Sequence, residues 1–569
     1  MFVVFEGIDG SGKTVLSTRV ARALRAAGLR VEHVREGGTF RSPIVQRIRE
    51  LGRDARNLML APHAELLFYT AREAQLQAEL TQPALSRADV VIADRYFYSA
   101  EVLAIHGRGM DPTTVRAMVN AASGGARPDL VVHVDVDPHL ARARRQVAKL
   151  QANERKSPSR KGLTGSALQH RMREGYLALA ARDPERWLTC DNSDVDLEVL
   201  QTALVELIRA AWARGVGAAR ALAEDLLRRK VAAPAVADPR EARAALLNSI
   251  DRRAVTEPGV AAYYLCELSG PDVDERRWAL LDRAPAVVAY SLGGLDDATS
   301  WSIRERLAEV QPALVALSMA KVRSLPPHMM QLLSKLSARA PDAVALALAG
   351  RDDPSAWSVR SRLLRQSAAA AAISTAGLSS DRAWALREEY LKQRGSSLED
   401  FPRAAGLLPC ASITGVDDER AWKVRDAALD STPVDAILSI SGLVSDESFD
   451  WRQRFAERAT KPVMATLKGI DDARAWSIRE KFASQCQETF ESMRDLGGER
   501  AWDLRQRCAE VWPAAVVGSL GALGTSPEGA ALTRALLVKN PGHVWLWKQA
   551  ALHAAPSGAS EPAARVGWG

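Results

Sequence analysis

The sequence contains few cysteines, and none of them is placed to build a metal site or a disulfide framework. Its 569 residues include five cysteines, at the scattered positions Cys190, Cys266, Cys410, Cys486 and Cys508. No two of them form the C-x-x-C pair that marks zinc sites and redox motifs. This pattern excludes a disulfide-rich secreted protein and fits the reducing cytoplasm.

The sequence also lacks a hydrophobic run of membrane-spanning length. The longest run of small apolar residues, Ala368 to Ile373, is far shorter than the roughly 20 residues that a transmembrane helix needs. At the start of the chain, Glu6 interrupts the apolar residues too early for a signal peptide. We therefore expect a cytoplasmic protein without a membrane segment.

A strong charge of either sign is absent as well. Lysine and arginine together number 76 and aspartate and glutamate 69, which gives a formal net charge of +7. This excess is small for 569 residues, so we do not expect a nucleic-acid-binding surface. A chain of this length is too long for one hydrophobic core, and about two to four domains are expected.

What the sequence does contain is a phosphate-binding pattern at its start. Phe2 to Phe5 predict a buried strand, and residues 15–24 predict a helix that ends near Gly28. Between them lies G-x-x-x-x-G-K-T, formed by Gly7, Ile8, Asp9, Gly10, Ser11, Gly12, Lys13 and Thr14. In this setting the loop N–H groups and the helix N-terminus bind phosphate, while Lys13 reaches the β- and γ-phosphates and Thr14 holds Mg²⁺. We predict a nucleoside triphosphate site.

Strands and helices alternate over the first part of the chain. Apolar runs predict further strands at 29–34, 90–96, 130–137 and 187–191, and helical stretches lie at about 42–51, 62–82, 98–122, 138–182 and 195–214. Such alternation is typical of a parallel sheet with helices on both faces. Since function gathers at the carboxyl edge of such a sheet, the phosphate loop, Asp94-Arg95 and Asp135/Asp137 should meet there.

Six short motifs over residues 1–214 follow one another in an order that points to a known family. They are the phosphate loop Phe5–Thr14, the turn Arg35–Thr39, Leu67-Phe68 with Arg72, Asp94-Arg95-Tyr96 with Ser99, Val134–Pro138 followed by Arg142, Arg144 and Arg145, and Arg173–Leu177. In order and spacing they resemble the thymidylate kinase family. The resemblance implies an α/β P-loop kinase domain that phosphorylates dTMP to dTDP with ATP as phosphoryl donor and Mg²⁺ as cofactor, and a homodimer through that domain.

The resemblance also assigns residues to the acceptor nucleotide. It implies that Phe68 stacks on thymine, that Arg72 contacts the base edge and that Arg95 holds the acceptor phosphate. The complete set that it places at the acceptor is Asp9, Glu36, Arg49, Phe68, Arg72, Arg95 and Ser99. Residues Val102–Ile105 depart from the family, which has polar residues there, so base specificity stays open and a kinase for another nucleotide is an alternative.

The predicted reaction needs positive charge more than a base. A phosphate oxygen of the acceptor is already anionic, so catalysis depends on holding two anions in line and neutralising them. Residues 149–173 are basic and contain serines, a proline and glycines, which predicts a mobile lid. Because the phosphate loop has no arginine, the resemblance implies that the lid supplies one. The predicted catalytic residues are Lys13, Arg95, Arg142, Arg144 and Arg155.

The second part of the chain is a repeat. The phrase D-D-x-x-x-W-x-[IV]-R recurs at Trp301, Trp357, Trp422 and Trp476, with looser copies at Trp384, Trp451 and Trp502. Prolines and glycines frame the apolar runs between copies, which predicts pairs of short helices with proline in the first turn, a left-handed glycine cap, and aspartate capping the next helix. The gap between Trp301 and Trp357 spans two periods, with Met329 or Met330 in the missing position.

Regular spacing beside capping residues indicates that the tryptophans belong to the core. The arginine three residues after each tryptophan should stack on it or meet the aspartate pair. About eight to ten units then form an all-α solenoid over 239–525, because such short helices must stack to bury their apolar faces. Residues 215–238 are predicted as a helical connector and linker, and 526–569 as a helix and a disordered tail.

The repeats resemble HEAT-like repeats with a shorter period, of no named family. They predict a surface for an unknown protein partner. A second function class therefore stays open, namely a scaffold or regulatory protein whose nucleotide-binding module is degenerate.

Overall fold

A computed structural model describes residues 1–35, 42–152, 159–194, 196–227, 234–399 and 401–554. The chain forms two compact units. The first comprises residues 1–146, 159–161 and 166–232, and the second comprises 147–158, 162–165 and 233–569. Within the described residues, every helix is too short or too polar to span a bilayer.

The first unit is built on a parallel sheet. Its strands are β1 (Phe2–Glu6), β2 (Val31–Val34), β3 (Val90–Asp94), β4 (Leu130–Asp135) and β5 (Trp187–Asp191). They pair in the order β2-β3-β1-β4-β5, and every pairing is parallel. The apolar runs form strands because their side chains are buried on both faces. The predicted α/β fold is confirmed.

Ten helices of the described residues connect or follow these strands. They are α1 (Lys13–Ala26), α2 (Pro43–Arg53), α3 (Pro62–Leu76), α4 (Gln82–Leu85), α5 (Tyr98–Val102), α6 (Pro112–Ser123), α7 (Pro138–Ala152), α8 (Ala167–Arg182), α9 (Leu197–Arg214) and α10 (Val216–Leu227). A π-helical turn, Gln77–Thr81, joins α3 to α4, and a second, Leu103–Gly107, follows α5. The predicted stretch 98–122 is interrupted because Asp111 caps a new helix at Pro112.

The helix α10 differs from the sequence expectation of a connector. It packs against α9 and β5, and its Ala219 and Ala223 belong to the apolar core that α1 and α9 form with the sheet. This helix therefore completes the first unit.

The second unit consists of short helices. They are α11 (Pro239–Thr256), α12 (Pro258–Tyr264), α13 (Pro271–Leu280), α14 (Pro285–Ser291), α15 (Ala298–Leu307), α16 (Pro312–Met319), α17 (Pro327–Leu336), α18 (Pro341–Leu348), α19 (Pro354–Gln366), α20 (Ala368–Ile373), α21 (Asp381–Lys392), α22 (Phe401–Ala404), α23 (Glu419–Ala428), α24 (Pro433–Leu438), α25 (Asp446–Phe455), α26 (Thr460–Thr466), α27 (Ala473–Phe482), α28 (Glu488–Ser492), α29 (Glu499–Cys508), α30 (Pro513–Leu520), α31 (Pro527–Lys539) and α32 (Val544–His553). Short 3-10 turns lie at Ala405–Leu407, Cys410–Ile413 and Gly521–Thr525.

The repeat begins and ends its helices as the sequence predicts. Proline occupies the first turn of α14, α16, α18 and α24. Glycines after α14, α18 and α24 take the left-handed conformation, with φ of 88° at Gly294, 72° at Gly350 and 79° at Gly442. The side chains of Asp297, Asp353 and Asp418 accept hydrogen bonds from the first turn of the following helix. The predicted all-α repeat is confirmed.

Most repeats are centred on an arginine that the solvent does not reach. Eight arginines in the described part of this unit have no exposed surface: Arg277, Arg304, Arg360, Arg387, Arg425, Arg452, Arg479 and Arg505. Arg304 is typical, since its Nη2 donates to the carbonyls of Leu292 and Leu295 (2.6 and 2.8 Å) and its Nε to Ser318 Oγ (2.9 Å). These carbonyls follow a helix C-terminus, whose partial negative charge stabilises a cation.

Six of these arginines stack on the tryptophan three residues earlier, as the sequence predicts. The predicted copy at Trp451 is wrong in this respect, because the buried arginine there is Arg452 and it stacks on Phe449. The guanidinium carbon of Arg304 lies 4.1 Å from the ring centre of Trp301, and that of Arg479 lies 4.7 Å from Trp476. Within the part of the chain that the structure describes, Arg277 is the one of the eight that forms an ion pair with an aspartate, Asp274, at 2.8 Å. The first aspartate of the pair instead accepts a hydrogen bond from the tryptophan, since Trp476 Nε1 donates to Asp471 Oδ1 at 2.6 Å.

One repeat lacks both residues, and an arginine of the next repeat replaces the missing contacts. On α17, Met330 and Leu333 occupy the tryptophan and arginine positions and are buried. The guanidinium of Arg351 reaches back and donates to the carbonyls of Met319 (3.3 Å) and Val322. Met319 and Val322 lie one and four residues after Ser318, just as Leu292 and Leu295 lie one and four residues after Ser291. Arg351 therefore binds the carbonyl pair that the arginine of this repeat would otherwise bind.

The first and last helices of this unit pack against each other. The helix α11 contacts α32, the rings of Tyr263 and Trp545 stack at 6.3 Å, and Arg494 pairs with Glu267 at 3.6 Å. The unit thus closes on itself, and α31 and α32 form part of it. The predicted tail from about residue 555 lies outside the described residues.

We predict that Arg351→Ala lowers the free energy of unfolding of the repeat unit by about 1–3 kcal/mol, because buried carbonyls lose their donor. Urea unfolding followed by tryptophan fluorescence measures the change. Arg306→Ala, at an exposed position, is the control and should be neutral. Adding Leu333→Arg to Arg351→Ala should restore part of the loss. Equal stability of both single variants would contradict the role given to Arg351.

Candidate functional site

The phosphate loop connects β1 to α1 and depends on glycine at three positions. Gly7, Gly10 and Gly12 have φ of 149°, 92° and 89°. A Cβ at Gly10 would lie 2.3 Å from the Ala141 carbonyl oxygen, and one at Gly7 would lie 2.4 Å from that of Val134. No larger residue fits, so the loop can wrap closely around an anion at the N-terminus of α1.

Lys13 is folded into this loop. Its Nζ donates to the carbonyl oxygen of Ile8 at 3.2 Å, and the side chain is buried. Burial and the nearby Arg95 lower the pKa of Lys13 to about 8. The predicted loop residues Ile8 and Ser11 are buried as well.

Thr14 meets Asp94 at the end of β3. Thr14 Oγ1 donates to Asp94 Oδ2 at 2.6 Å, while Asp94 Oδ1 is buried and has no hydrogen-bond partner in the described residues. A hydroxyl beside a carboxylate oxygen that still needs a partner fits Mg²⁺, which takes one or two protein ligands and completes its shell with phosphate and water. Thr14 and Asp94 are therefore the residues that could hold this ion.

Asp9 lies at the centre of a cluster of cations. Its Oδ1 pairs with Arg95 Nη2, and its Oδ2 lies 3.2 Å from Lys161 Nζ. Burial opposes ionisation of Asp9, but Lys161, Arg95, Lys13 and Arg145 together hold its pKa well below the usual range. One carboxylate thus faces four cations, and the excess positive charge suits phosphate groups.

Arg95 is held in an unusual conformation. Its φ is 80°, in the left-handed region that residues other than glycine rarely adopt. Its N–H donates to the Phe5 carbonyl at 3.0 Å, and its Nη1 donates to Gly7 O (3.2 Å) and Ser99 Oγ (2.8 Å). The structure therefore brings Arg95, Ser99 and Asp9 together beside the phosphate loop, as the sequence predicts.

A buried carboxylate lies behind Arg95. Glu6 has no exposed surface and accepts hydrogen bonds from the Tyr96 N–H (2.9 Å), Ser99 Oγ (2.8 Å) and Tyr176 OH (3.1 Å). Burial raises the pKa of Glu6 against the opposing effect of Arg95. These bonds fix the side chains that surround Arg95.

The residues predicted to recognise the base lie on α2 and α3. Phe68 is half-buried, and Arg49 is half-buried on α2. Arg72 is buried, pairs with Glu73 and lies 5.0 Å from the Tyr69 ring centre. Its contact with a base edge stays a prediction, and Glu36 lies outside the described residues.

The residues that depart from the family motif lie at the end of α5 and in a π-helical turn. Val102, Leu103 and Ala104 are buried, and the turn Leu103–Gly107 follows α5. Apolar side chains of this segment pack into the fold, so they offer no polar group to a base.

The part of the predicted lid that begins at Ser159 is attached to α3 by a buried ion-pair cluster. Arg160 Nη1 lies 2.5 Å from Glu65 Oε1, and its other nitrogens donate to the carbonyls of Asn57 and Leu60. Arg108 pairs with the second oxygen of Glu65 at 2.7 Å. Arg160 therefore anchors this segment, and the neighbouring Lys161 is the residue that reaches Asp9.

The predicted lid arginines divide into three groups. Arg142 and Arg144 lie half-buried on α7, and Arg155 lies outside the described residues. The charge of Arg145, on the same helix, helps to lower the pKa of Asp9. The predicted catalytic set omitted Arg145 and Lys161.

The comparisons with known proteins agree with this geometry. The family model for thymidylate kinase matches residues 5–203. The thymidylate kinase of Geobacter sulfurreducens is 38% identical over 209 residues, which cover 36% of this chain and 95% of that protein. The chain belongs to the thymidylate kinase family. The predicted resemblance is confirmed.

One further relative shows the same division of the chain. The thymidylate kinase of Trichlorobacter lovleyi is 37% identical over 193 residues, covering 34% of this chain and 89% of that protein. A solved thymidylate kinase from Ehrlichia chaffeensis covers 37% of this chain and 98% of its own, with 23% identity and a TM-score of 0.29, which is too low to inform on function. Kinase-family similarity thus concerns about a third of the chain.

Several side chains that shape the kinase site were not predicted. Asn192 Nδ2 donates to the Ser11 carbonyl at 2.7 Å and so ties the end of β5 to the phosphate loop. Arg173 binds both oxygens of Asp135 at 2.7 Å. These contacts join residues far apart in sequence, so local patterns do not predict them. The motif Arg173–Leu177 drew attention to Arg173 but did not indicate its partner Asp135.

We predict that Asp9→Asn destabilises the chain by about 1–3 kcal/mol, because Arg95 and Lys161 lose a charged partner and like charges face each other. Thermal unfolding with and without inorganic phosphate measures this. Phosphate should raise the melting temperature of the variant more than that of the wild type, since it replaces the lost negative charge. A smaller phosphate effect in the variant would contradict the cation cluster.

Proposed function

We propose that the first unit transfers the γ-phosphoryl group of ATP to dTMP, which gives dTDP and ADP. The observation that carries this proposal is the convergence of Lys13, Arg95, Arg145 and Lys161 on the single carboxylate of Asp9, in a domain of the thymidylate kinase family. These cations belong to the phosphate loop, to the end of β3 and to the segments around the lid. Two phosphate-bearing substrates can therefore meet between them.

The acceptor side of the reaction depends on Arg95 and Ser99. Arg95 Nη1 and Ser99 Oγ lie 2.8 Å apart, so both can hold the dTMP phosphate in line with ATP. An oxygen of that phosphate is anionic at neutral pH and attacks the γ-phosphorus without a general base. A new O–P bond forms, the bond between the γ-phosphorus and the β,γ-bridging oxygen breaks, and the electron pair leaves with ADP.

The donor side depends on the phosphate loop. Loop N–H groups and Lys13 bind the β- and γ-phosphates at the N-terminus of α1, and Arg145 and Lys161 neutralise charge on the transferring group. Thr14 and Asp94 would hold Mg²⁺, which supplies further positive charge to the phosphates when bound. Positioning and charge neutralisation together account for the chemistry.

The acceptor base is the part of the proposal that the residues define least. Phe68 can stack on any base, while the apolar Val102, Leu103 and Ala104 replace the family's polar residues. We propose that dTMP is preferred, that dUMP is a closer competitor than is usual in the family, and that dCMP is poor because its exocyclic amine would face the donors of Arg72.

The order of preference among acceptors can be tested with purified chain, ATP and Mg²⁺. The values of kcat/KM for dTMP, dUMP, dCMP and a purine monophosphate should fall in that order. Preference for dCMP or a purine would contradict the thymidylate assignment while leaving a nucleotide kinase. Binding of ATP without phosphorylation of any monophosphate would favour the alternative, a scaffold protein with a degenerate nucleotide module.

A further prediction concerns Lys161, in the predicted lid. Lys161→Met removes the charge at nearly constant length and should lower kcat by about 10²–10³, as loss of one preorganised charge does. Lys161→Arg keeps the charge and should retain most of the activity. Steady-state kinetics of the two folded variants measures the difference. Similar kcat values for both would show that the charge at this position is not used.

We also propose that the first unit forms a homodimer through α2 and α3. Ile44, Leu51, Met59 and Leu67 are each more than half exposed in this region, and a second copy would cover this apolar surface. Leu67→Glu should convert a dimer to a monomer in light scattering, whereas Val538→Glu, at an exposed position of the repeat unit, should not. A monomeric wild type would contradict the proposal.

The repeat unit is proposed to bind a protein partner. The residues to which the proposed reaction assigns a role lie within 1–214, so the repeats are available for another purpose. Repeated helices build extended surfaces that suit protein recognition.

A further inference from the structure

One face of α8 touches the ends of three strands. Gln169, Arg173 and Tyr176 follow one another at spacings of four and three residues and therefore share a face. Gln169 bonds to the phosphate loop after β1, Arg173 to Asp135 at the end of β4, and Tyr176 to Arg95 after β3. A single helix thus reaches both the phosphate loop and Arg95, which hold the donor and the acceptor phosphate in the proposed reaction.

Gln169 fixes the backbone of the phosphate loop. Its Oε1 accepts a hydrogen bond from the Asp9 N–H at 3.2 Å, and the side chain is 6% exposed. Asp9 lies between Gly7 and Gly10, both of which have positive φ. A loop with so much backbone freedom needs an outside contact to keep one shape.

Tyr176 connects Arg95 to the buried Glu6. Its hydroxyl accepts from Arg95 Nη1 at 3.3 Å and donates to Glu6 Oε2 at 3.1 Å. Ser99 Oγ likewise accepts a hydrogen bond from Arg95 Nη1 and donates one to Glu6 Oε2, both at 2.8 Å. Two hydroxyls therefore link one guanidinium nitrogen to one carboxylate oxygen. Burial raises the pKa of Tyr176, so its hydroxyl keeps the proton that it donates.

Arg95 needs this support because its backbone is strained. At a φ of 80°, a residue other than glycine adopts a backbone conformation that its Cβ disfavours. The ring of Tyr176 is itself fixed by the imidazole of His133, which stacks on it at 5.5 Å. Gly175 lets α8 approach closely, since a Cβ there would lie 2.7 Å from the His106 ring. The hydroxyl is therefore presented to Arg95 by a rigid helix.

We propose that Tyr176 and Gln169 are positioning residues that divide the two substrates between them. Tyr176 acts on the acceptor through Arg95, and Gln169 acts on the donor through the Asp9 backbone. Neither side chain needs to touch a nucleotide. This inference rests on the proposed function, because it takes Arg95 as the acceptor-phosphate residue and the loop as the ATP site.

Binding of each nucleotide alone tests the inference. Tyr176→Phe removes one oxygen and keeps the ring, and Gln169→Leu removes the acceptor at similar volume. Calorimetric titration with ATP and Mg²⁺, and separately with dTMP, gives two dissociation constants for each variant. We expect Tyr176→Phe to weaken dTMP binding about tenfold and ATP binding less than twofold, and Gln169→Leu to do the reverse, as loss of one hydrogen bond to a charged or loop group implies.

Tyr96→Phe is the matched control. Its hydroxyl bonds to Gln77 Oε1 (2.9 Å) and the Ala126 carbonyl (3.2 Å), away from Arg95. This variant should lose stability without changing the ratio of the two constants. If Tyr176→Phe does not fold, Glu6→Gln weakens the same support from behind and should give the acceptor-side pattern.

Equal changes in both constants, or none, for either positioning variant would overturn the inference. A wild-type chain that binds ATP but no dTMP would instead overturn the proposed function, and the acceptor half of the inference with it. The two failures are therefore distinguishable from the wild-type titrations alone.

Discussion

The kinase unit depends on concentrating positive charge around one carboxylate. Asp9 forms ion pairs with Arg95 and Lys161, and the charges of Lys13 and Arg145 also lower its pKa. These four cations repel one another in a partly buried place. The surrounding structure opposes that repulsion. Arg95 is tied to Glu6 through two hydroxyls, Lys161 follows the anchored Arg160, and the phosphate loop is fixed by Gln169 and Asn192. In the proposed reaction, substrate phosphates would complete the charge balance, so no general base is needed.

The repeat unit also buries positive charge, but backbone carbonyls stabilise that charge in place of carboxylates. Its eight buried arginines sit at helix C-termini and donate mainly to carbonyls and hydroxyls, while the partial charges of the peptide groups replace carboxylate partners. The solvation lost on burial is large enough to lower the pKa of Arg304 to about 9 and that of Arg360 to about 10. Leaving such carbonyls without donors is unfavourable, and Arg351 supplies the donor where Leu333 cannot. A buried charge is tolerated in both units only where backbone dipoles or acceptors surround it.

Local patterns in the sequence gave most of the fold. The strand runs, the loop from Gly7 to Thr14 and the repeat phrase each specify structure within a few residues, so they could be predicted, as could the stacking of Arg479 on Trp476. Contacts between distant segments could not. Lys161 reaching Asp9, Tyr176 supporting Arg95 and Arg351 replacing a missing arginine all depend on how elements pack. Arg72 was predicted at the base edge, and its pairing with the adjacent Glu73 depends on burial that no spacing reveals.

We propose that the cations around Asp9 lie between two nucleotide sites that share one line of phosphates. A molecule that joins adenosine and thymidine through a polyphosphate chain would occupy both sites at once. Calorimetric titration of the full chain with this compound and Mg²⁺ should give one molecule per chain and an affinity at least about 10²-fold above that of ATP or dTMP alone, because the second site is filled intramolecularly. An affinity equal to that of ATP alone would show that the two sites do not meet at the cation cluster.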